Sequence, residues 1–433
     1  MKNALKIAAI AACLCFSGGA ADAQLVGGGV GPLVGSVTGT LGRTTEGITG
    51  TLDNTVNSTL QTVRDTVGRP NLSQRNFERD PSGARVVRGT VLAISPSAES
   101  LAAARNLDFE VARQETMSSL GLSVMVLNVP SGMSVMDALA ALRKADPSGT
   151  YDYDHLYDPS GGEASVSSGA QTGESRTGVA KIGIIDAGVD RNHPAFEHAK
   201  IVVKNCAGAG ESPGTEHGTA VASLLVGDDG DFHGALSGTT LYAADVYGGD
   251  TNGGSAEDIA RALAWLADNN VPVANVSLAG PNNALLNAAI VAFLKRGHVL
   301  VAAVGNDGPA APPKYPAAYP GVVGVTSVDN TRNVQLDANQ GNDVMFAALG
   351  VDVRAAGGKG HFISMTGTSF AAPIVAARFA EEVLRADAQI AARAIHSLQH
   401  SAIDLGAPGR DPVFGYGFLD SPTATARTAN AGK

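Results

Sequence analysis

Four short segments carry the residue types that acyl transfer requires. Ile182-Gly183-Ile184-Ile185-Asp186-Ala187-Gly188 ends an apolar run on an acid and a glycine turn. Glu216-His217-Gly218-Thr219-Ala220 opens an apolar, small-residue helix on a histidine. Met365-Thr366-Gly367-Thr368-Ser369-Phe370-Ala371-Ala372-Pro373 sets a serine after a glycine turn, at the head of an alanine-rich helix. Val301-Ala302-Ala303-Val304-Gly305-Asn306 ends a further apolar run on a side-chain amide. The first three have plainer readings alone: a turn-capping Asp, a satisfied core His, an N-cap Ser. Together they form a chemical set. A serine hydroxyl is a poor nucleophile until an imidazole takes its proton, and the imidazole needs a carboxylate to fix its tautomer and stabilise its cation. An amide N–H and the backbone N–H groups of a helix start can hold the oxyanion. The candidate catalytic residues are therefore Asp186, His217, Ser369 and Asn306.

The surrounding pattern says what would bring them together. Apolar runs at Val179–Ile185, Leu241–Val246, Val271–Val276, Val299–Val304 and Val322–Thr326 alternate with helical stretches. Ile259, Leu263 and Leu266 share one helix face behind a Ser255 cap, and Leu286, Ile290 and Phe293 share another. Runs apolar on both faces, interleaved with amphipathic helices, predict an α/β fold with a doubly wound parallel sheet. Ligands in such folds sit at the carboxyl ends of the strands, where three of the four segments fall. Upstream, residues 86–157 read β-α-β-β-α-β, the order of a small ferredoxin-like α+β unit. Its last strand sets Tyr151, Tyr153, His155 and Tyr157 against Asp152, Asp154 and Leu156 on two unlike faces. Residues 158–177 are a Gly/Ser-rich linker. Residues 24–85 are low in complexity and rich in Gly and Thr, with Val and Leu at helix-like intervals. They are either a spacer or a segment for attachment and self-association.

The segments around His217 and Ser369, and the intervals of 31, 89 and 63 residues separating Asp186, His217, Asn306 and Ser369, resemble the subtilisin family of serine proteases. The resemblance covers about 178–426. It implies that Asp186 orients His217, that His217 acts as general base and then acid, and that Ser369 is the nucleophile. The Asn306 side chain and the Ser369 N–H would line the oxyanion hole. It makes Ser277, Leu278 and Ala279 the substrate-pairing strand, and Tyr315 to Pro320 the edge of the pocket. Three positions depart from the family pattern: Ala187 stands where a hydroxyl residue is usual, Ala279 where Gly is usual, and Ile374 where His is usual. The resemblance also makes 86–157 a propeptide that chaperones and inhibits, with self-cleavage expected at or shortly after Tyr157. No cofactor is expected. Calcium is common in the family, and Asp228, Asp229 and Asp231 are either oxygen donors for it or a solvated turn.

Composition sets the outer limits. The 433 residues carry a formal charge of −10, which argues against nucleic acid and anionic lipid as partners. Polypeptide substrates and the chain's own propeptide are the expected partners, and a monomer is the expected state. Lys2 and Lys6, the apolar run from Ile7 to Phe16 and Ala21-Asp22-Ala23 read as a secretory signal over 1–23. The expected address is secreted, periplasmic or cell-surface; lipid attachment at Cys13 is the alternative. No later run reaches the ~20 apolar residues of a membrane span. With Cys13 and Cys15 in the leader, Cys206 would be left without a disulfide partner. The rival function is a surface-exposed binding or structural protein on an inactive protease scaffold. An esterase reading is disfavoured because the GxSxG elbow is absent at Ser369.

Overall fold

The computed structural model describes residues 76–164 and 181–422, apart from 209 and 211. All belong to one of the two units into which the chain divides, Asp65–Lys433. The leader, Cys13 and most of the 24–85 segment lie outside the described residues, as do residues 165–177 of the linker.

The chain first builds a small antiparallel sheet. Its elements are β1 (Phe77–Arg79), β2 (Arg85–Ile94), α1 (Ala98–Asn106), β3 (Glu110–Met117), β4 (Leu122–Asn128), α2 (Val135–Ala145) and β5 (Tyr151–Pro159). Strand order β5-β2-β4-β3 matches the ferredoxin-like reading. Ser97 and Ser134 cap α1 and α2 by accepting from Ser100 N–H and Asp137 N–H. The period of two divides β2 cleanly. Val91 and Ala93 pack with Leu139 and Leu142 of α2, whereas Leu92 and Ile94 face a second cluster further along the chain. The first strand falls inside the expected spacer, pairing Phe77 with Val87. Three residues are too few to show a period.

The larger part contains β6 (Gly162–Ala164), β7 (Lys181–Asp186), β8 (Lys200–Asn205), α3 (Glu216–Val226), β9 (Asp228–Asp229), β10 (Phe232–His233), β11 (Thr240–Asp245), β12 (Gly254–Ser255), α4 (Ala256–Asp268), β13 (Val273–Val276), β14 (Leu278–Ala279) and α5 (Ala284–Lys295). It continues with β15 (Val299–Ala303), β16 (Val323–Val328), β17 (Val344–Leu349), β18 (Val353–Ala356), β19 (Phe362–Thr366), α6 (Thr368–Glu382) and α7 (Ala388–Ser401). Seven strands form a parallel sheet in the order β17-β16-β15-β13-β7-β11-β8. Alternation along β15 shows the double covering. Val299, Val301 and Ala303 join α3, α6 and α7 in one core, and Leu300 and Ala302 join α4 and α5 in the other. The second core also takes up Leu92, Ile94 and Val126 of the small sheet, so α4 and α5 lie between the two sheets. Cys206 is wholly buried, and burial pushes its thiol pKa up to about 12. That is the environment of a packed residue rather than a nucleophile.

Candidate active site

Asp186 is the last residue of β7, fully buried. Its Oδ1 accepts from His217 Nδ1 at 2.8 Å and from the Ala187 N–H at 2.7 Å. Its Oδ2 is buried without a hydrogen-bond partner among the described residues. His217 lies in the first turn of α3, behind the Thr215 cap. The helix can approach the end of β7 this closely because position 218 is glycine: a Cβ there would lie 2.2 Å from the Ala187 carbonyl oxygen. His217 Nε2, the atom facing away from Asp186, is buried and has no partner among the described residues.

Ser369 is the second residue of α6 and fully buried. Its neighbour Phe370 packs on the His217 ring, with centroids 5.3 Å apart, so the serine and the imidazole share one corner. The Ser369 hydroxyl donates to the Ser277 carbonyl at 2.9 Å rather than to His217. The Asp–His bond is therefore formed and the Ser–His bond is not. The backbone N–H of Ser369 donates to the Ser160 carbonyl at 2.9 Å.

Asn306 follows β15. Its Oδ1 accepts from the Thr368 N–H at 3.1 Å and from Gln335 Nε2 at 3.2 Å. Its Nδ2 is buried and has no partner among the described residues. Asn306, Ser160, Gly161, Ala279 and Gln335 line one cavity of about 510 Å³. The sequence pattern did not disclose Gln335, which sits in a loop 29 residues from Asn306 with no motif around it. Thr368, whose hydroxyl accepts from the Gly305 N–H at 3.2 Å, is a neighbour of the serine that the same motif contains.

The chain that follows the small sheet runs through this corner. Ala279 pairs with Asp158 and Leu278 with Pro159 on one edge of β5. Gly254 pairs with Tyr157 and Ser255 with Leu156 on the other. The Ser160 N–H then donates to the Ser277 carbonyl at 3.2 Å. The expected pairing strand Ser277, Leu278 and Ala279 thus contacts residues 158–160 of the same chain. The start of the linker, expected without structure, is extended: Asp158 and Pro159 complete β5, and β6 pairs with β19 through Gly162 and Thr366. Tyr157 is fully buried, its hydroxyl donating to the Pro281 carbonyl and its own carbonyl accepting from Tyr247. The Tyr315 loop flanks this region by a two-way bridge to Gly280.

Asp228 bonds His233 at 2.6 Å and Asp231 bonds Arg354 at 2.9 Å, so two of the three acidic-loop carboxylates have protein partners. Among the described residues no group of three His, Cys, Asp or Glu could hold a metal ion. No helix among them is long and apolar enough to cross a membrane.

Subtilisin DY of Bacillus licheniformis is 31% identical over 235 residues, which cover 52% of this chain and 84% of that protein. The minor extracellular protease Epr of Bacillus subtilis is 30% identical over 219 residues, covering 50% of this chain and 34% of Epr. The chain therefore spans only about a third of that relative's length. In structure, fervidolysin of Fervidobacterium pennivorans, a keratinolytic enzyme related to subtilisin, superposes with a TM-score of 0.66 at 18% identity, over 84% of this chain and 65% of that one. At that identity the likeness concerns the fold. Residues 178–417 match the subtilase family of peptidases, and the chain belongs to that family.

Proposed function

We propose that this protein is an exported serine endopeptidase that hydrolyses peptide bonds through an acyl-enzyme, and that its first substrate is its own Ser160–Gly161 bond. One observation carries the reading. An extended segment is held on both edges, its Ser160 N–H on Ser277 and its Ser160 carbonyl on the Ser369 N–H. That is the posture in which a carbonyl is attacked by the serine that donates to it.

The steps use this chain's own groups. Ser369 Oγ turns from the Ser277 carbonyl and attacks the Ser160 carbonyl carbon, passing its proton to His217 Nε2. Asp186, bonded to Nδ1, stabilises the resulting imidazolium. The negative charge on the Ser160 oxygen is met by the Ser369 N–H and by Asn306 Nδ2, a buried donor with no other partner. When the C–N bond breaks, His217 returns the proton to the Gly161 nitrogen, which leaves as an amine. Water, deprotonated by His217, then hydrolyses the ester, leaving a carboxylate at Ser160 and restoring the Ser369 hydroxyl.

Residues 76–160 act in this reading as the propeptide, and cleavage falls three residues beyond Tyr157. Export through the leader at 1–23 agrees with the extracellular description of Epr. The test is intact mass and N-terminal sequencing of purified protein. Wild type yields a fragment beginning at Gly161, and Ser369→Ala keeps that bond whole. Purified Ser369→Ala cut between Ser160 and Gly161 with no other protease present overturns self-processing. A folded wild type that takes no fluorophosphonate label and cuts no unfolded protein overturns the peptidase reading in favour of an inactive scaffold.

A further inference from the structure

We infer that Phe370 makes this enzyme select glycine on the leaving-group side of the scissile bond. The inference rests on the cleavage reading above and narrows its substrate class to Xaa–Gly bonds. Gly161 supplies the amine that leaves. A Cβ built on Gly161 would lie 2.8 Å from Phe370 Cε2, 3.1 Å from Gly367 Cα and 3.2 Å from the Thr366 carbonyl oxygen. Two of these three neighbours are backbone of the turn that carries Ser369. The third, the phenyl ring, is the only one that a side-chain rotation could move.

The ring has nowhere to go. Phe370 is wholly buried in the core formed by α3, α6 and the parallel sheet. Its other neighbour is the His217 ring, itself fixed at 2.8 Å from Asp186. A larger residue at 161 must displace either the nucleophile's turn or the base. Both are needed in the transition state, so the penalty falls on the reaction. The restriction is confined to one position. A Cβ on Gly162 meets nothing within 4 Å, although its backbone pairs with Thr366. The narrow position is thus Gly161, and the one that follows it is open.

The test uses processed wild-type enzyme and the nonapeptide of residues 156–164, Leu-Tyr-Asp-Pro-Ser-Gly-Gly-Glu-Ala, with the first Gly kept or replaced by Ala or Leu. Fluorophosphonate labelling of Ser369, which needs no leaving-group residue, is measured in parallel. The expected kcat/KM falls about 10-fold for Ala and about 100-fold or more for Leu. Phe370→Ala should bring the Leu peptide to within about 10-fold of the Gly peptide; Phe370→Leu, which keeps most of the core volume, should narrow the gap in the same direction. Within the full chain, Gly161→Leu should stay uncut, and Gly161→Leu with Phe370→Ala should be cut again. Labelled wild type that cuts the Gly and Leu peptides equally overturns the selectivity. A Gly preference unchanged in both Phe370 variants overturns the ring as its cause. Wild type that neither labels nor cuts the parent peptide sinks the peptidase reading itself, and this inference with it.

Discussion

His217 is bonded at Nδ1 and, among the described residues, unbonded at Nε2, and Asn306 shows the same asymmetry. Its oxygen is bonded twice while its buried nitrogen bonds nothing. Those unpartnered atoms are where reaction charge and proton would go. Asn306→Ala should lower kcat by about 10²–10³ with little change in KM; that figure comes from the family rather than from this geometry. Gln335 touches only the amide oxygen of Asn306 among the oxyanion groups, and so acts as a positioning residue. Gln335→Ala leaves that amide oxygen with the Thr368 N–H alone and should cost about 1 kcal/mol, roughly fivefold in kcat, and Gln335→Glu should not restore it because a carboxylate cannot donate. Steady-state kinetics on an unfolded protein would check both. Asp186, His217, Asn306 and Ser369 were legible because each sits in a local pattern of strand end, turn and helix start. Gln335 was not, because its role depends on a loop that comes near Asn306 only in the folded chain.

At the scale of elements, the small sheet presents its carboxylates to two helix starts. Asp154 Oδ1 accepts from the Glu257 N–H at 3.1 Å, in the first turn of α4, and Asp152 Oδ2 accepts from the Ala284 N–H at 2.6 Å, at the start of α5. Helix N-termini favour such partners through their free N–H groups and dipole. Replacing both by Ala should cost about 1 kcal/mol for each cap. The fraction of cleaved 76–160 that co-elutes with the larger fragment should drop accordingly. Beside these caps, Arg261 of α4 is gripped by Glu257 and Asp258 at 2.6 Å and by Glu115 of β3 at 2.5 Å, with Arg113 closing onto Glu257. Arg261→Met leaves buried carboxylates short of a cation and should destabilise the full chain by about 3–5 kcal/mol, read from denaturant midpoints. The alternation of Tyr and Asp along β5 already indicated two unlike faces. Which helix ends the acids would cap depends on residues over 100 positions away. The edge strand β8 escaped the sequence pattern for another reason. Lys200 and Lys204 break its apolar run, as suits a strand with one side unpaired.

In the larger part of the molecule, stability rests on two cores divided by the parallel sheet, with Cys206 too deeply buried to bridge to anything. His298 ties that stability to pH. It is buried against the Phe293 ring, with centroids 4.2 Å apart, and burial lowers its pKa below the usual 6.5. The unfolded chain takes a proton there near pH 6.5, while the folded chain resists it. The contribution is complete above that pH and declines as the pH falls from it towards the lower folded value. His298→Phe should flatten this acid-side slope, seen in denaturant midpoints at pH 7.5 and 5.5. The three-stranded arrangement around residues 156–159 reaches beyond the enzyme to its targets. A polypeptide lying there gives both hydrogen-bonding edges to β12 and β14, so it can keep neither a sheet neighbour nor a helical turn of its own. Leu156 to Pro159 pair with β12 and β14 and Gly162 to Ala164 with β19, so the run laid out here is nine residues, about 30 Å when extended. A compact native protein rarely offers so long a free stretch, whereas a damaged or half-unfolded one offers many. On the proposed peptidase reading, such a cleft would grade its targets by loss of shape before it reads their side chains.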